Sequence, residues 1–186
     1  MRRCCKDAME QPEIKILPYE TRPARCEPHE AGAAAAAAAL VQFLRRQLDG
    51  VVIERIGSTA VPGCAGKGII DLMVMYGGGQ LAEVREQIDG LGFQRQTTRE
   101  PFPEDRPMRT GAFDYEGQRY LVHVHIVSAE SPEVEDLRYF RDCLRADPEL
   151  RAAYVAFKKK LLAQGVSDSV DYAIAKGEFI RQCLGR

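Results

Sequence analysis

The chain has 186 residues, of which 45% are hydrophobic and 28% charged, with a formal net charge of −1. That length suits one domain with a real core, and the near-neutral balance argues against nucleic acid or an anionic membrane surface as partner. Six cysteines form no Cys-x-x-Cys pair, which leaves zinc-ribbon and thioredoxin readings unsupported, and with no visible leader a reduced cytoplasm is the expected compartment.

In chain order, residues 1–12 are polar and unpatterned, and a disordered tail is expected, followed by a single domain over residues 13–186. Ile14–Tyr19 alternates weakly and carries a proline, which suits an edge strand. Pro28–Leu48 reads as a helix whose alanine run, 33–39, is a thin face for close packing and is too short to cross a bilayer. Val51–Ile56 and Ile69–Tyr76 read as strands, the second with no surface-type alternation and so buried on both faces. Gln80–Leu91 is an amphipathic helix stopped by Gly92. Phe93–Thr98 is a further candidate strand, and the proline-rich stretch 99–107 is a loop. Arg109–Tyr115 and Gln118–Val127 flank Glu116-Gly117 as a hairpin. Three closing helices are expected near 132–145, 148–163 and 168–184, with Ser131-Pro132 and Asp147-Pro148 as start signals. The order predicts an α+β fold with a mixed sheet and a helical C-terminal part.

The chemistry concentrates between Glu54 and Tyr76. Asp71 interrupts an apolar strand, and a charge there costs several kcal/mol, on the order of a buried ion's desolvation penalty, unless something pairs with it. A metal, a base or a polar network would serve. Thirteen residues upstream of Asp71 lies Ser58, in a Gly57-Ser58 turn. Glycine allows close backbone approach to a ligand, and a serine hydroxyl beside backbone N–H groups can grip a phosphate. His123 and His125, two apart on a strand, point the same way. With Asp71 on an adjacent strand they form a two-histidine, one-carboxylate set, which favours Mn²⁺, Zn²⁺ or Fe²⁺ over Mg²⁺. Lys67 follows Gly63-Cys-Ala-Gly66, but Val61 and Gly68 break the Walker A pattern and a strand follows where a helix is needed. Lys67 therefore stands as a phosphate contact or a solvated lysine. Lys158-Lys-Lys160 reads as a solvated helix face, and Gly77–Gly79 as a strand-to-helix turn.

The words Ile56-Gly57-Ser58-Thr59-Ala60-Val61-Pro62-Gly63 and Lys67 through Asp71 resemble the signature of the GrpB-like family, a branch of the nucleotidyltransferase superfamily that includes DNA polymerase beta. The resemblance extends to Ile14–Tyr19, the His123-Val-His125 strand, the Phe140–Glu149 segment and Tyr172–Ile180, roughly residues 14–184. It implies a nucleotidyltransferase-like fold, a nucleoside triphosphate substrate held by Gly57, Ser58 and Lys67, and a small-molecule acceptor. It also implies a divalent ion, Mg²⁺ or Mn²⁺ with Zn²⁺ also open, at Asp71, His123 and His125, with Asp71 catalytic. Three positions depart from the pattern: Arg55 stands where histidine is typical, Gly68 where proline is typical, and Met73 where the superfamily often has a second carboxylate. The last departure keeps an alternative open, an inactive nucleotide- or metabolite-binding module assisting a partner such as a coenzyme A biosynthesis kinase, since the family's domain is also found fused to dephospho-coenzyme A kinase.

Overall fold

A computed structural model describes residues 14–185; the expected N-terminal tail lies outside the described residues. The elements are α1 (Gly32–Gln47), β1 (Val52–Ile56), a 3-10 turn (Ser58–Ala60), β2 (Ile70–Tyr76), α2 (Leu81–Gly90), β3 (Gln94–Arg95), β4 (Met108–Tyr115), β5 (Gln118–Ser128), α3 (Pro132–Ala146), α4 (Pro148–Ala163) and α5 (Ser169–Leu184). The strands form one mixed sheet in the order β1-β2-β5-β4-β3. Among the described residues the central β2–β5 pair is parallel and the other pairs are antiparallel. This is the expected α+β arrangement.

Strand alternation assigns the two faces. Ile70, Leu72, Val74 and Tyr76 of β2 join Val122, Val124 and Ile126 of β5 beneath α1 and α2 in the main core. Helix α1 meets this face through Ala33, Ala36, Ala37, Leu40 and Leu44, all fully buried and at helical spacing. On the other face Met73, Met75 and Val127 pack with Ile56 and with Val134 of α3. The face that carries Asp71 therefore looks toward the C-terminal helices. Ser131 and Asp147 cap α3 and α4 as the sequence led us to expect, each with proline next. Residues Glu116 and Gly117 both take positive φ, the two-residue turn that matches the twist of a hairpin.

Three elements differ from expectation. Among the described residues the Ile14–Tyr19 segment makes a single bridge, Leu17 with Ala112 on β4, and Pro18 lacks an N–H to extend the ladder. Helix α1 starts at Gly32, since Glu27 is held extended by paired backbone bonds to Gly66. Strand β3 is two residues long, and from Gln96 the chain leaves the sheet to line a cavity. Among the described residues no helix is long and apolar enough to cross a membrane.

The alanine face gives a direct test. Ala36→Leu forces extra methylenes into a packed contact and is expected to cost about 1–3 kcal/mol in a urea titration. Ala35→Leu, on the exposed side, is expected to change stability by under about 0.5 kcal/mol. Equal effects would show that the run does not pack as a thin face.

Candidate functional site

Three side chains converge because of strand register. Asp71 sits beside His123, and Met73 beside His125, across the parallel β2–β5 pair. Side chains at Asp71, His123 and His125 thus leave the same face of the sheet. Asp71 Oδ1 lies 3.2 Å from His123 Nδ1 and 3.9 Å from His125 Nε2. One ligand atom from each of the three falls within 4.8 Å of the others. Burial works to raise the pKa of Asp71, but the hydrogen bonds and positive charge of the two histidines outweigh it and hold the carboxyl well below the usual range.

The Gly-Ser turn presses directly on this carboxylate. Gly57 has φ +69°, and a Cβ there would sit 2.9 Å from Asp71 Cγ and closer still to Oδ2. Both the backbone angle and the space require glycine. Ser58 opens the 3-10 turn, packed against Gly66, where a Cβ would meet Ser58 Cβ at 2.9 Å. Arg55 donates to the Thr59 carbonyl, and Arg145 of α3 to that of Ala60, so the turn is held from both sides. Gly68 has φ +74°, which a proline, fixed near −65°, cannot adopt. Here the chain needs the residue that departs from the family pattern.

The outer side of the histidines is also fixed. Tyr19 Oη lies 3.0 Å from His123 Nε2, and burial with the charge of Asp71 raises that tyrosine's pKa to about 12. Phe102 meets the His125 ring edge-on. Arg106, ion-paired to Glu133, reaches 3.5 Å from His125 Nδ1. A guanidinium only donates, so this contact places the His125 proton on Nε2, toward Asp71. Burial, the largest influence, keeps His125 below the usual imidazole value against the pull of Asp71.

The lysines overturn one expectation. Lys158 is not on a solvated face: it is 1% exposed, while Lys159 and Lys160 are exposed. Its ammonium donates to Ser58 Oγ at 3.2 Å and to the Ala65 carbonyl, contacts Cys64 Sγ at 3.6 Å and lies over the Tyr154 ring. Because Lys158 occupies an acceptor position of Ser58, the serine's own proton is free to turn outward. Lys67 is half-buried with Nζ 5.2 Å from the Tyr172 ring centre, and Lys176 approaches the same ring at 5.3 Å. The sequence offered no period or motif that singled out Lys158 or Lys176.

All six expected site residues, Gly57, Ser58, Lys67, Asp71, His123 and His125, line one cavity of about 530 Å³, with Lys158, Lys176 and Tyr154 on its helical side. The donor set of the Asp-His-His cluster fits a borderline ion such as Mn²⁺ or Zn²⁺, with Tyr19 bonded to the far nitrogen of His123 as a supporting partner. For Nε2 of His125 to ligate, its proton must leave and Arg106 must turn aside. The donors do not fit a pair of Mg²⁺ ions: Met73 faces the same side as Asp71 but is fully buried in an apolar cluster beneath α3.

Comparison with known proteins places the chain. The family model described as GrpB protein matches residues 23–186. A UPF0157 protein of Streptomyces coelicolor is 36% identical over 140 residues, covering 73% of this chain and 70% of that protein. The chain spans smaller shares, 37% and 56%, of two further relatives. Among solved structures, GrpB from Enterococcus faecalis overlays with a TM-score of 0.62 at 20% identity, over 86% of this chain and 99% of that one, and so shares the fold. The Cid1 poly(U) polymerase, in a structure bound to MgGTP, overlays less closely, with a TM-score of 0.49 at 15% identity over 74% of this chain and 44% of that one. With a family model covering all but the first residues, and a relative matched over most of its length, the chain belongs to the GrpB family.

Proposed function

We propose that the cavity binds a nucleoside triphosphate with a divalent ion and passes a nucleotidyl or phosphoryl group to a small-molecule acceptor. One observation supports the reading: the Gly57-Ser58 turn and the Asp-His-His cluster, separate in sequence, press against each other in a single cavity lined by lysines. Asp71, His123 and His125 would hold the ion. A divalent ion there supplies a Lewis acid for a phosphoryl oxygen. Ser58 donates its outward proton to a phosphate oxygen, with Lys158 fixing the hydroxyl's orientation from behind. Gly57 lets the phosphate chain approach the backbone. Tyr19 holds the His123 ring in place, Phe102 packs edge-on against that of His125, and the aromatic walls Phe102, Phe140 and Tyr154 keep water from the reacting groups.

A second reading has its own observation. Met73 fills the place where the superfamily often has a second acid, within a closed apolar cluster, so one carboxylate does the work usually shared by two. That favours a nucleotide- or metabolite-binding module that assists a partner enzyme, such as a coenzyme A biosynthesis kinase.

Turnover separates the two. Incubation with α- and γ-labelled triphosphates, Mn²⁺ or Mg²⁺ and a metabolite pool is expected to label a small molecule. Tight triphosphate binding with no label transferred under any of these conditions would favour the binding module.

Asp71→Asn adds a second readout. Its carboxylate is paired with His123 and His125, so the change does not relieve a lone buried charge, and a loss of about 1.5–3 kcal/mol at neutral pH is expected in urea titration. Because the folded-state pKa is depressed, the wild-type advantage is complete above the unfolded carboxylate's value, near 3.8, and shrinks as the pH falls below it. Activity per folded molecule is expected to fall by about 10²–10³. Unchanged activity per folded molecule would assign Asp71 to structure alone.

Metal binding is checked separately. Mn²⁺ or Zn²⁺ is expected to raise the melting temperature, and His125→Ala to abolish the shift. Calorimetry that detects no divalent ion, with or without nucleotide, would remove the metal from the site.

A further inference from the structure

The side of the cavity facing the C-terminal helices carries positive charge that the Asp-His-His cluster does not balance. Lys67 comes from the loop before β2, Lys158 from α4 and Lys176 from α5, and all three line the cavity. The Nζ atoms of Lys67 and Lys176 approach one tyrosine ring, Tyr172, at 5.2 and 5.3 Å. Among the described residues neither has a carboxylate oxygen within 4 Å or a hydrogen-bond acceptor for its Nζ.

The nearby acids are already engaged. Asp71 is paired with the histidines. Asp168 caps α5 and lies 3.8 Å from Arg99, and Glu100 lies 4.0 Å from the same arginine. Lys158 spends its donors on Ser58, Ala65 and Cys64. Burial pushes Lys176 down to about 8 and holds Lys67 below its ordinary value, each against the pull of Asp71. Two ammonium groups line one cavity beside the same ring, and an anion bound there would supply the partner that each lacks.

We propose that Lys67 and Lys176 at the Tyr172 ring, backed by Lys158 behind Ser58, form a subsite for a phosphate or polyphosphate group that is recognised without a metal ion. The inference rests on the nucleotide reading for the identity of the anion's carrier, not for the existence of the subsite. Two sources share this chemistry, the triphosphate tail of the donor and a phosphate on the acceptor. On this arrangement the C-terminal helices supply half of the binding site.

The test uses the full chain and inorganic tripolyphosphate in the presence of EDTA, followed by calorimetry. Metal-free binding is expected, weakening as salt is raised. Lys176→Met and Lys67→Met are each expected to weaken it by about tenfold or more, while Lys176→Arg keeps most of it. Melting curves confirm that the variants fold; Lys176 is only half-buried, so its replacement leaves the core intact. Absence of tripolyphosphate binding, or both methionine variants binding as wild type does, would overturn the proposal. Competition then identifies the carrier: displacement of nucleoside triphosphate by tripolyphosphate assigns the subsite to the donor, and simultaneous binding assigns it to the acceptor. Metal-free binding that depends on Lys67 and Lys176, in a protein with no turnover, leaves the subsite standing while the transfer reading falls. Turnover with both methionine variants binding normally does the reverse.

Discussion

A carboxylate on the central strand of an apolar sheet has to be kept ionised, and the arrangement around Asp71 follows from that need. Its side chain is 23% exposed, so water alone does not solvate it. Two histidines on the neighbouring strand supply the compensation, and they reach it because β2 and β5 pair in a register that sets Asp71 beside His123. A pairing shifted by one residue would send them to the opposite face. The same carboxylate dictates its neighbour in the turn, because its oxygen occupies the space that any side chain at position 57 would need. Charge, register and glycine are thus one constraint seen three ways.

The two faces of the sheet answer different demands. Under α1 and α2 the packing is mainly apolar, with small alanines letting α1 come close. Under α3 the contacts are ionic as well. Arg138, Arg141 and Arg145, at helical spacing, bind Glu54, the Arg55 carbonyl and the Ala60 carbonyl. Glu54 is held below the usual carboxylate range, chiefly by its bond to Arg138. This row of arginines fixes β1 and the turn that follows it, so the helical part positions the Gly-Ser turn rather than merely covering it. On the far edge of the sheet, Arg109, buried in β4, binds Asp89 of α2 and Glu104, and so anchors the loop that carries Phe102 toward His125.

The parts legible in the sequence are those governed by local rules. Sequence pattern and start signals located β1, β2, β4, β5 and the five helices of the described residues to within a few residues, since each buries one face or both. The Gly-Ser turn and the three metal-type donors stood out because a charge in an apolar run and a pair of histidines are unusual side chains for their setting. The partners of those residues were not legible. Lys158 lies in a run of three lysines that looks like a solvated surface, and only the packing of α4 over the 64–66 loop turns the first of them inward. Arg106 sits in a proline-rich loop with no period to fix its direction. Both depend on contacts between residues far apart in sequence, which no window of sequence contains. The short β3 has the same cause: Phe93–Thr98 has strand composition, but the chain is drawn off the sheet to wall the cavity.

Net charge shows the same limit from another side. The formal value of −1 argues against a long polyanion as partner, and that argument concerns the surface as a whole. A cavity is a different medium. Its walls screen charge less than bulk water does, and Lys67, Lys158, Lys176, Arg22 and Arg141 line it against two carboxylates, Asp71 and Glu100, both already paired. Charges spread over the exterior are screened within about 8–10 Å at physiological salt, so the acidic residues elsewhere scarcely offset it. A chain can therefore be close to neutral overall and still present a strongly cationic interior. The anion that suits such an interior is a compact one, small enough to be enclosed and too short to need a basic groove.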